Sequence, residues 1–153
     1  MQRCVDSSDT ALAQLAHNAS LNQVESRIRP QAGDAFEVLK GLRAERERFD
    51  VVILDPPAFI KRKKDFHAGH TAYQRLNQAA MQLLSKDGIL VSASCSYHLS
   101  RDNLKQTLLQ TSRHVDRQLL ILEQGHQGPD HPLLPAVAET EYLKSFICRV
   151  LPN

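Results

Sequence analysis

Length, composition and charge already exclude several classes of protein. The 153 residues suffice for one ordinary domain but not for two, and 42% hydrophobic residues place the chain among globular proteins. A net charge of +2 is too small for a nucleic-acid polycation, no apolar run approaches the roughly 20 residues of a membrane helix, and three widely spaced cysteines suggest neither a disulfide framework nor a metal site. We expect one domain over residues 1–153 in the reducing cytoplasm, with any RNA affinity confined to a local patch.

The first half of the chain alternates strand-like and helix-like segments joined by short polar turns. The hydrophobic pattern predicts a strand at 3–6, a helix at 8–18, a strand at 24–28 and a helix at 35–48. The apolar, β-branched run FDVVIL at 49–54 follows, and it is typical of a central parallel strand that is buried on both faces.

The second half continues this alternation but ends differently. We predict these elements in chain order: a helix at 71–84, a turn at 86–88, a strand at 89–94, a helix at 102–113, a strand at 118–123 and a strand at 142–151. Because no helix separates the last two strands, the final strand is expected to run antiparallel to the others. The elements together predict an α/β fold with a mostly parallel sheet.

Acidic residues follow the first two predicted strands. Ligands bind beyond the carboxyl ends of the strands of an open parallel sheet, where Asp6 could accept the hydroxyls of a ribose and Asp34 an exocyclic amine. A structural role is equally open, because each aspartate also suits the turn or N-cap before the following helix.

A stiff acidic turn follows the FDVVIL strand. Pro56 and Pro57 remove two backbone donors and restrict φ, so that Asp55 is presented by a rigid segment. Rigidity suits a residue that must hold a planar base, although two prolines can also simply end a strand.

Cys95 lies between two serines at the end of the next strand. A thiolate nucleophile needs partial exposure and polar surroundings, and this is the one cysteine whose position predicts both. Cys4 and Cys148 lie inside apolar strands and are interpreted as small buried hydrophobic residues.

Four consecutive basic residues, Lys61, Arg62, Lys63 and Lys64, follow the proline turn. Contiguous cations beside a cleft contact RNA phosphates without reading sequence, whereas a short charged run is otherwise a solvated surface. The seven histidines show no spacing typical of metal ligands, and we predict no metal site.

Several of these motifs together resemble one known family. They are Asp6, Gly33-Asp34-Ala35-Phe36, FDVVILDPPAF at 49–59, GILVSASCS at 88–96 and HPLLPAVAETEYLKSFICRV at 131–150. From Arg3 to Leu151 the chain is similar to the catalytic domain of class I S-adenosylmethionine-dependent methyltransferases. More narrowly, it resembles the bacterial PUA-domain family that forms 5-methylcytosine in large-subunit ribosomal RNA. The resemblance implies a Rossmann-like sheet, ribosomal RNA as partner and S-adenosylmethionine as cofactor.

The resemblance also implies cofactor and catalytic roles. Asp6 would bind the cofactor ribose, Asp34 and Ala35 would bind its adenine, and Asp55 and Pro56 would border the cofactor as well. Asp55 would hold the N3/N4 edge of cytosine. Cys95 would add to carbon 6, which makes carbon 5 nucleophilic enough to take the methyl group.

The implied substrate contacts lie just beyond Asp55. A cytosine that has been flipped out of its stack would meet Pro57 and Phe59, and the basic run Lys61, Arg62, Lys63 and Lys64 would contact the RNA backbone. Tyr73 and Tyr97 are further candidates for stacking on the base, although each also suits the core or the wall of a pocket.

The chain departs from the family pattern in one respect. Its six glycines, at 33, 41, 69, 88, 125 and 128, form no GxG loop. We therefore expect the family's first strand, its glycine-rich loop and its PUA domain to be missing. Binding of S-adenosylmethionine should be weak or absent, and residues 1–153 alone should be inactive as an enzyme. The strand at 49–54 would then be an open edge, closed by the remaining elements or by a homodimer.

Two other functions stay open. A D/N-P-P-aromatic turn also serves enzymes that methylate amino groups of adenine or guanine, although Ala58 here separates the second proline from Phe59 and Cys95 would be idle. A noncatalytic RNA-binding or dimerisation module would keep the fold without the cofactor site. The missing glycine loop favours such a module for this chain, whereas Asp55 and Cys95 argue against it.

Overall fold

A computed structural model describes all 153 residues, which form two compact units, Met1–Arg46 and Glu47–Asn153. The elements of the first unit are β1 (Gln2–Asp6), α1 (Asp9–Leu21), a 3₁₀ turn (Glu25–Arg27), β2 (Ile28–Ala32) and α2 (Ala35–Ala44). Strand β1 pairs in parallel with β2, from Gln2 opposite Ile28 to Asp6 opposite Ala32. The two aspartates that the sequence singled out follow or end these strands.

Three predicted boundaries in the first unit are wrong. Helix α1 ends at Leu21 instead of 18. The second strand occupies Ile28–Ala32 rather than 24–28, because β2 is a polar edge strand that the search for apolar runs overlooked. Pro30 is tolerated there since an edge strand has one side without a hydrogen-bonding partner. Helix α2 ends at Ala44 instead of 48, where Arg46 adopts a left-handed conformation with φ of 60°.

The second unit is a four-stranded sheet with two helices. Its elements are β3 (Phe49–Leu54), a 3₁₀ turn (Lys63–Asp65), α3 (Phe66–Leu83), β4 (Leu84–Ser94), α4 (Arg101–His114), β5 (Arg117–Gly125), a 3₁₀ turn (Ala138–Thr140) and β6 (Lys144–Pro152). The strand order is β3-β4-β6-β5, with β3 parallel to β4 and β6 antiparallel to both of its neighbours. The predicted antiparallel last strand is thus confirmed.

The other boundaries of this unit differ by a few residues. Helix α3 begins at Phe66 instead of 71. Strand β4 begins at Leu84, so the turn predicted at 86–88 is an irregular segment of the strand in which Asp87 has a φ of 62°. Pairing shifts there, because Phe49 lies opposite Leu84 while Val51 lies opposite Ile89. The last strand begins at Lys144 rather than 142.

Strand β3 is an edge strand of this sheet and not a strand buried on both faces. It pairs with β4 alone, and Val51 and Ile53 are 52% and 64% exposed. Within its own sheet, β3 has a hydrogen-bonded neighbour on one side only. The expectation of an open edge at 49–54 therefore agrees with the structure.

The core of the second unit lies between the sheet and the helices α3 and α4, which pack on each other and on the strands. Its fully buried side chains include Met81, Leu90, Leu104, Leu108 and Phe146. This core fixes where β4 ends and therefore where Cys95 leaves the sheet. None of the helices combines the length and hydrophobicity that crossing a membrane requires.

Candidate active site

Cys95 lies directly after β4 in a short turn, with one buried serine before it and one after it. Its own side chain is half-buried, whereas Ser94 and Ser96 are 0% and 1% exposed. The alternation of the strand continues for two residues beyond Ser94, which turns the two hydroxyls toward the core and leaves the thiol accessible. The structure thus gives Cys95 the partial exposure that the sequence predicted.

A network of buried hydroxyl groups holds this turn. The Tyr73 hydroxyl lies 2.8 Å from Ser94 Oγ, which donates to it, and 2.9 Å from Ser96 Oγ. The backbone N–H of Ser96 also donates to Ser94 Oγ at 3.1 Å. Tyr73 is only 1% exposed, so it belongs to the core and supports the turn instead of stacking on a base. Paired buried polar groups of this kind specify one local geometry.

The same network connects the Cys95 turn to the turn that follows β3. The backbone N–H of Ile60 donates to Ser96 Oγ at 3.1 Å, although the two residues are 36 positions apart. Phe59 packs against Tyr73 with a ring-centroid distance of 4.9 Å. The segment Asp55 to Ile60 and the Cys95 turn therefore share an anchor in the core.

Asp55 is the first residue of this segment, and Ile60, which bonds to Ser96, is the last. Its carboxylate is exposed, whereas Leu54 before it is buried. Pro56 is half-buried and Pro57 is exposed, which leaves the second proline free to meet a ligand from outside. The exposed Asp55 is followed by two prolines, which restrict the backbone of this turn.

The basic run after this segment is a surface feature. All four of its cations are exposed, and Lys63 and Lys64 lie in the 3₁₀ turn before α3. Arg62 forms an ion pair with Asp65 at 2.8 Å, and this hydrogen-bonded carboxylate raises the pKa of the guanidinium. Lys61, Lys63 and Lys64 therefore offer the exposed positive charge that phosphate contact requires.

Lys144 is a site residue that the sequence reasoning missed. It is 5% exposed, and its Nζ donates to the carbonyl oxygens of Ser96 and Leu99, both at 2.6 Å. Burial lowers its pKa to about 8, an effect that Arg101 reinforces and that Cys95 and Glu141 oppose. The period-2 pattern of β6 would have revealed it, because Lys144 shares a face with buried apolar side chains of that strand.

The two aspartates of the first unit perform local structural work. Asp34 caps α2, since its Oδ1 accepts from the N–H groups of Phe36 and Glu37 at 2.9 and 3.2 Å. Asp6 Oδ1 accepts from Ser8 N at 2.8 Å in the turn before α1. In both carboxylates these bonds reach only Oδ1, and both are exposed. Both aspartates therefore stabilise local turns or caps, and the Oδ2 atom of each carboxylate stays available to an external donor.

A cavity of about 260 Å³ adjoins Asp34 within the first unit. It is lined in part by Arg3, Gln31, Gly33 and Val38. Gly33 has a φ of 152°, in the region that favours glycine, and a Cβ there would come within 3.0 Å of Val38. Ala35, the first residue of α2, is exposed beside the cap.

The other two cysteines and the potential metal ligands form no further candidate site. Cys148 is fully buried in β6, and burial raises its pKa to about 12. Cys4 is half-buried in β1. No group of three or more His, Cys, Asp or Glu side chains lies close enough together to hold a metal ion.

Comparison with known proteins identifies the family of this chain. A sequence model described as RNA cap guanine-N2 methyltransferase matches residues 2–128, which is most of the chain. The chain belongs to this methyltransferase family. It is also 36% identical, over 148 residues, to the protein named ribosomal RNA large subunit methyltransferase I of Erwinia tasmaniensis. That alignment covers 96% of this methyltransferase chain but only 37% of the relative.

Solved structures give the same fold for this methyltransferase chain. SMU.776, a provisionally assigned methyltransferase in complex with SAH, superposes with a TM-score of 0.82 at 19% identity over 96% of this chain and 38% of that one. A second structure, of a provisionally assigned SAM-dependent methyltransferase from Streptococcus mutans, gives 0.81 at 18% identity, with the same shares of the two chains covered. These likenesses confirm the predicted Rossmann-like methyltransferase fold.

Proposed function

We propose that this chain carries the nucleophile-bearing part of an S-adenosylmethionine-dependent ribosomal RNA (cytosine-C5) methyltransferase. The observation that carries the proposal is the half-buried Cys95 in a turn that buried hydrogen bonds tie to the Asp55 segment. The relative from Erwinia tasmaniensis, a ribosomal RNA large subunit methyltransferase by name, supports the class of substrate. Cytoplasmic location follows from a ribosomal RNA substrate.

Cys95 supplies what carbon 5 of cytosine lacks. The thiolate forms a bond to carbon 6, and the electron pair of the 5,6 double bond moves to carbon 5. S-adenosylmethionine, when bound, supplies the methyl group. Loss of the carbon 5 proton to a base then restores the double bond as the bond between sulfur and carbon 6 breaks. Throughout, Asp55 holds the N3/N4 edge of a cytosine flipped out of its stack.

Cofactor contacts are proposed within each unit from its own geometry. Asp6 and Asp34 each keep a carboxylate oxygen that accepts no bond within the protein, which fits the hydroxyl groups of a ribose and the amino group of adenine. Ala35 lies beside Asp34 without a bulky side chain. In the second unit, Asp55 and Pro56 border the cofactor. With no GxG loop among its glycines, the 153-residue chain alone should bind S-adenosylmethionine weakly and be inactive, which calorimetry would test.

RNA contacts are proposed for the surface beyond Asp55. Pro57 and the half-buried Phe59 meet the target base, and the exposed run Lys61–Lys64 meets phosphates. Replacing Lys61, Lys63 and Lys64 together by glutamine should weaken binding of any RNA and lower the salt dependence of that binding. Equal replacement of Lys40, Lys86 and Lys105, which are exposed elsewhere, is the matched control.

The covalent mechanism can be tested by trapping it. RNA containing 5-fluorocytosine cannot lose a proton from carbon 5, so a form of the protein that is active on RNA should stay bonded to it through Cys95 once the methyl group is transferred. Cys95→Ser should abolish the crosslink, whereas Cys4→Ser should retain it. Methylation of normal RNA by Cys95→Ala at the wild-type rate would rule the mechanism out.

An amino-directed methyltransferase is the second candidate function. The family whose model matches residues 2–128 is described by guanine-N2 methylation, an attack by an amino group that needs no thiolate. Ala58 between Pro57 and Phe59 argues against it, and so does the buried framework around Cys95. Methylation of guanine N2 that survives Cys95→Ala would establish this alternative.

We also propose that two copies of the chain pair along β3. Val51 and Ile53 are exposed beside the free backbone of this edge, which favours association. Light scattering should give twice the monomer mass, and Ile53→Lys should return the monomer. A wild-type monomer at 100 μM would exclude the dimer.

We propose further that both units belong to one domain. A single unfolding transition that both units share would support this proposal.

A further inference from the structure

Lys144 is a buried lysine to which the proposed reaction assigns no role. It stands at the start of β6 opposite Ser94, and its face of the strand continues with Phe146 and Cys148, both 0% exposed. An ammonium group in such surroundings loses its hydration, and this cost must be offset by hydrogen bonds to the charge. Strand formation alone does not need a lysine there.

The hydrogen bonds that offset this cost all go to the turn after Cys95. Nζ donates to the carbonyl groups of Ser96 and Leu99, and Ser96 O also accepts from the backbone N–H of Leu99 at 3.0 Å. The ammonium group therefore clamps both ends of the turn 96–99. The hydroxyl of Ser96 is held separately by Tyr73 and Ile60, so the residue after Cys95 is fixed through its side chain and its carbonyl.

Few charged groups act on Lys144. The ionisable groups that influence it are Cys95, Arg101 and Glu141, and its largest influence is burial, which lowers its pKa to about 8. Lys144 is thus mostly protonated at pH 7. Among these groups Cys95 is the only thiol, so the ammonium group and this thiol lie close enough to interact.

We propose that Lys144 is a positioning residue for Cys95: it clamps the turn 96–99 so that the thiol faces outward, and it keeps a positive charge beside the thiolate. This inference rests on the proposed nucleophilic role of Cys95. It assigns a function to the lysine of the YLKSF segment, which the resemblance alone leaves without one.

Alkylation of the Cys95 thiol tests this role without methyl transfer. In a Cys4→Ser background the remaining thiols are Cys95 and the fully buried Cys148, so iodoacetamide labelling located by mass spectrometry reports on Cys95. At pH 7, Lys144→Met should slow the labelling at least about fivefold, and Lys144→Arg, which keeps the charge, should stay within about twofold of wild type. Arg149→Met, an exposed change on the same strand, is the matched control and should have no effect.

The outcomes separate positioning from mere stability. A folded Lys144→Met protein that is labelled at the wild-type rate overturns the inference, even if its unfolding temperature falls. If Lys144→Met does not fold, Lys144→Gln replaces it, because an amide donates to a carbonyl without charge, and the same loss of labelling is expected. The 5-fluorocytosine crosslink is read separately. Labelling that depends on Lys144 without a crosslink at Cys95 would defeat the proposed function and leave the coupling intact.

Discussion

The two units of the molecule hold the polar residues beside their strand ends in different ways. In Met1–Arg46, Asp6 and Asp34 bond to N–H groups two or three residues away, at exposed positions. In Glu47–Asn153, buried Tyr73 and Lys144 bond to partners between 21 and 48 residues away. Local capping stabilises one helix, whereas distant buried bonds fix the relative position of whole segments. The second arrangement is the one that can hold a reactive group in place.

The apolar cores of the two units differ in the same direction. The buried hydrophobic residues of the first unit are Ala19 and Leu42, whereas those of the second include Leu90, Leu108 and Phe146 at 0% exposure. Because stability follows the apolar surface removed from water, we expect the second unit to contribute more to the free energy of unfolding.

Phe146→Ala should have the largest effect on stability. The side chain is fully buried in β6, so its removal should lower the free energy of unfolding by about 3–5 kcal/mol. Leu42→Ala in the first unit should cost less, because fewer buried neighbours surround it. Urea unfolding followed by circular dichroism measures both, and equal losses would remove the contrast between the two cores.

Tyr73→Phe should have an intermediate effect. The change deletes only the hydroxyl that joins Ser94 to Ser96, and leaving these buried groups short of a partner should cost about 1–3 kcal/mol. Tyr97→Phe, at a side chain that is 42% exposed, should change stability by less than about 0.5 kcal/mol. A negligible loss for Tyr73→Phe would show that the network does not stabilise the Cys95 turn.

Asp34→Ala should have a smaller effect, typical of a lost helix cap. Two N–H groups of α2 lose their acceptor, which should lower the unfolding free energy by about 1 kcal/mol. Asp34→Asn keeps a side-chain oxygen for the cap and should be nearly neutral. Equal losses for the two variants would point to a role for the negative charge rather than for the cap.

The effect that is smallest near neutral pH is a pH dependence that comes from Cys148, because it develops only as the pH approaches the range in which the thiol loses its proton. Burial raises the pKa of this thiol from 9.0 to about 12, so between these values the unfolded chain loses the proton while the folded protein keeps it. The free energy of unfolding should therefore fall as the pH rises from 9 toward 12. Its difference from Cys148→Ala, measured by urea unfolding at pH 8, 9 and 10, isolates this contribution. A difference independent of pH would contradict it.

Several elements of the fold could be predicted because their cause is local. The apolar run at 49–54, the helical pattern at 8–18 and the missing helix before β6 each predicted an element that the structure contains. The errors occurred where local pattern is weak. Strand β2 is polar, and the turn at 86–88 forms part of β4, because pairing with a neighbour decides both.

The candidate site shows the same division. Asp55 and Cys95 were recognised from residues beside them in the chain, and the exposure of both agrees with the structure. The period-2 pattern of β6 indicates that Lys144 is buried, but nothing within YLKSF reveals that its ammonium group reaches carbonyls 45 and 48 residues earlier. Tyr73 was weighed as a partner for the base and is instead part of the framework.

By itself the sequence determined the alternation of strands and helices, the antiparallel last strand and the positions of Cys95 and Asp55 just beyond strand ends, because these depend on neighbouring residues and hydrophobic period. Only the tertiary structure decided that β3 lies at an edge and that Tyr73, Ser96 and Lys144 form the support of Cys95. The physical reason is that hydrogen bonding and burial between distant segments depend on how strands pair and helices pack, which no local pattern specifies.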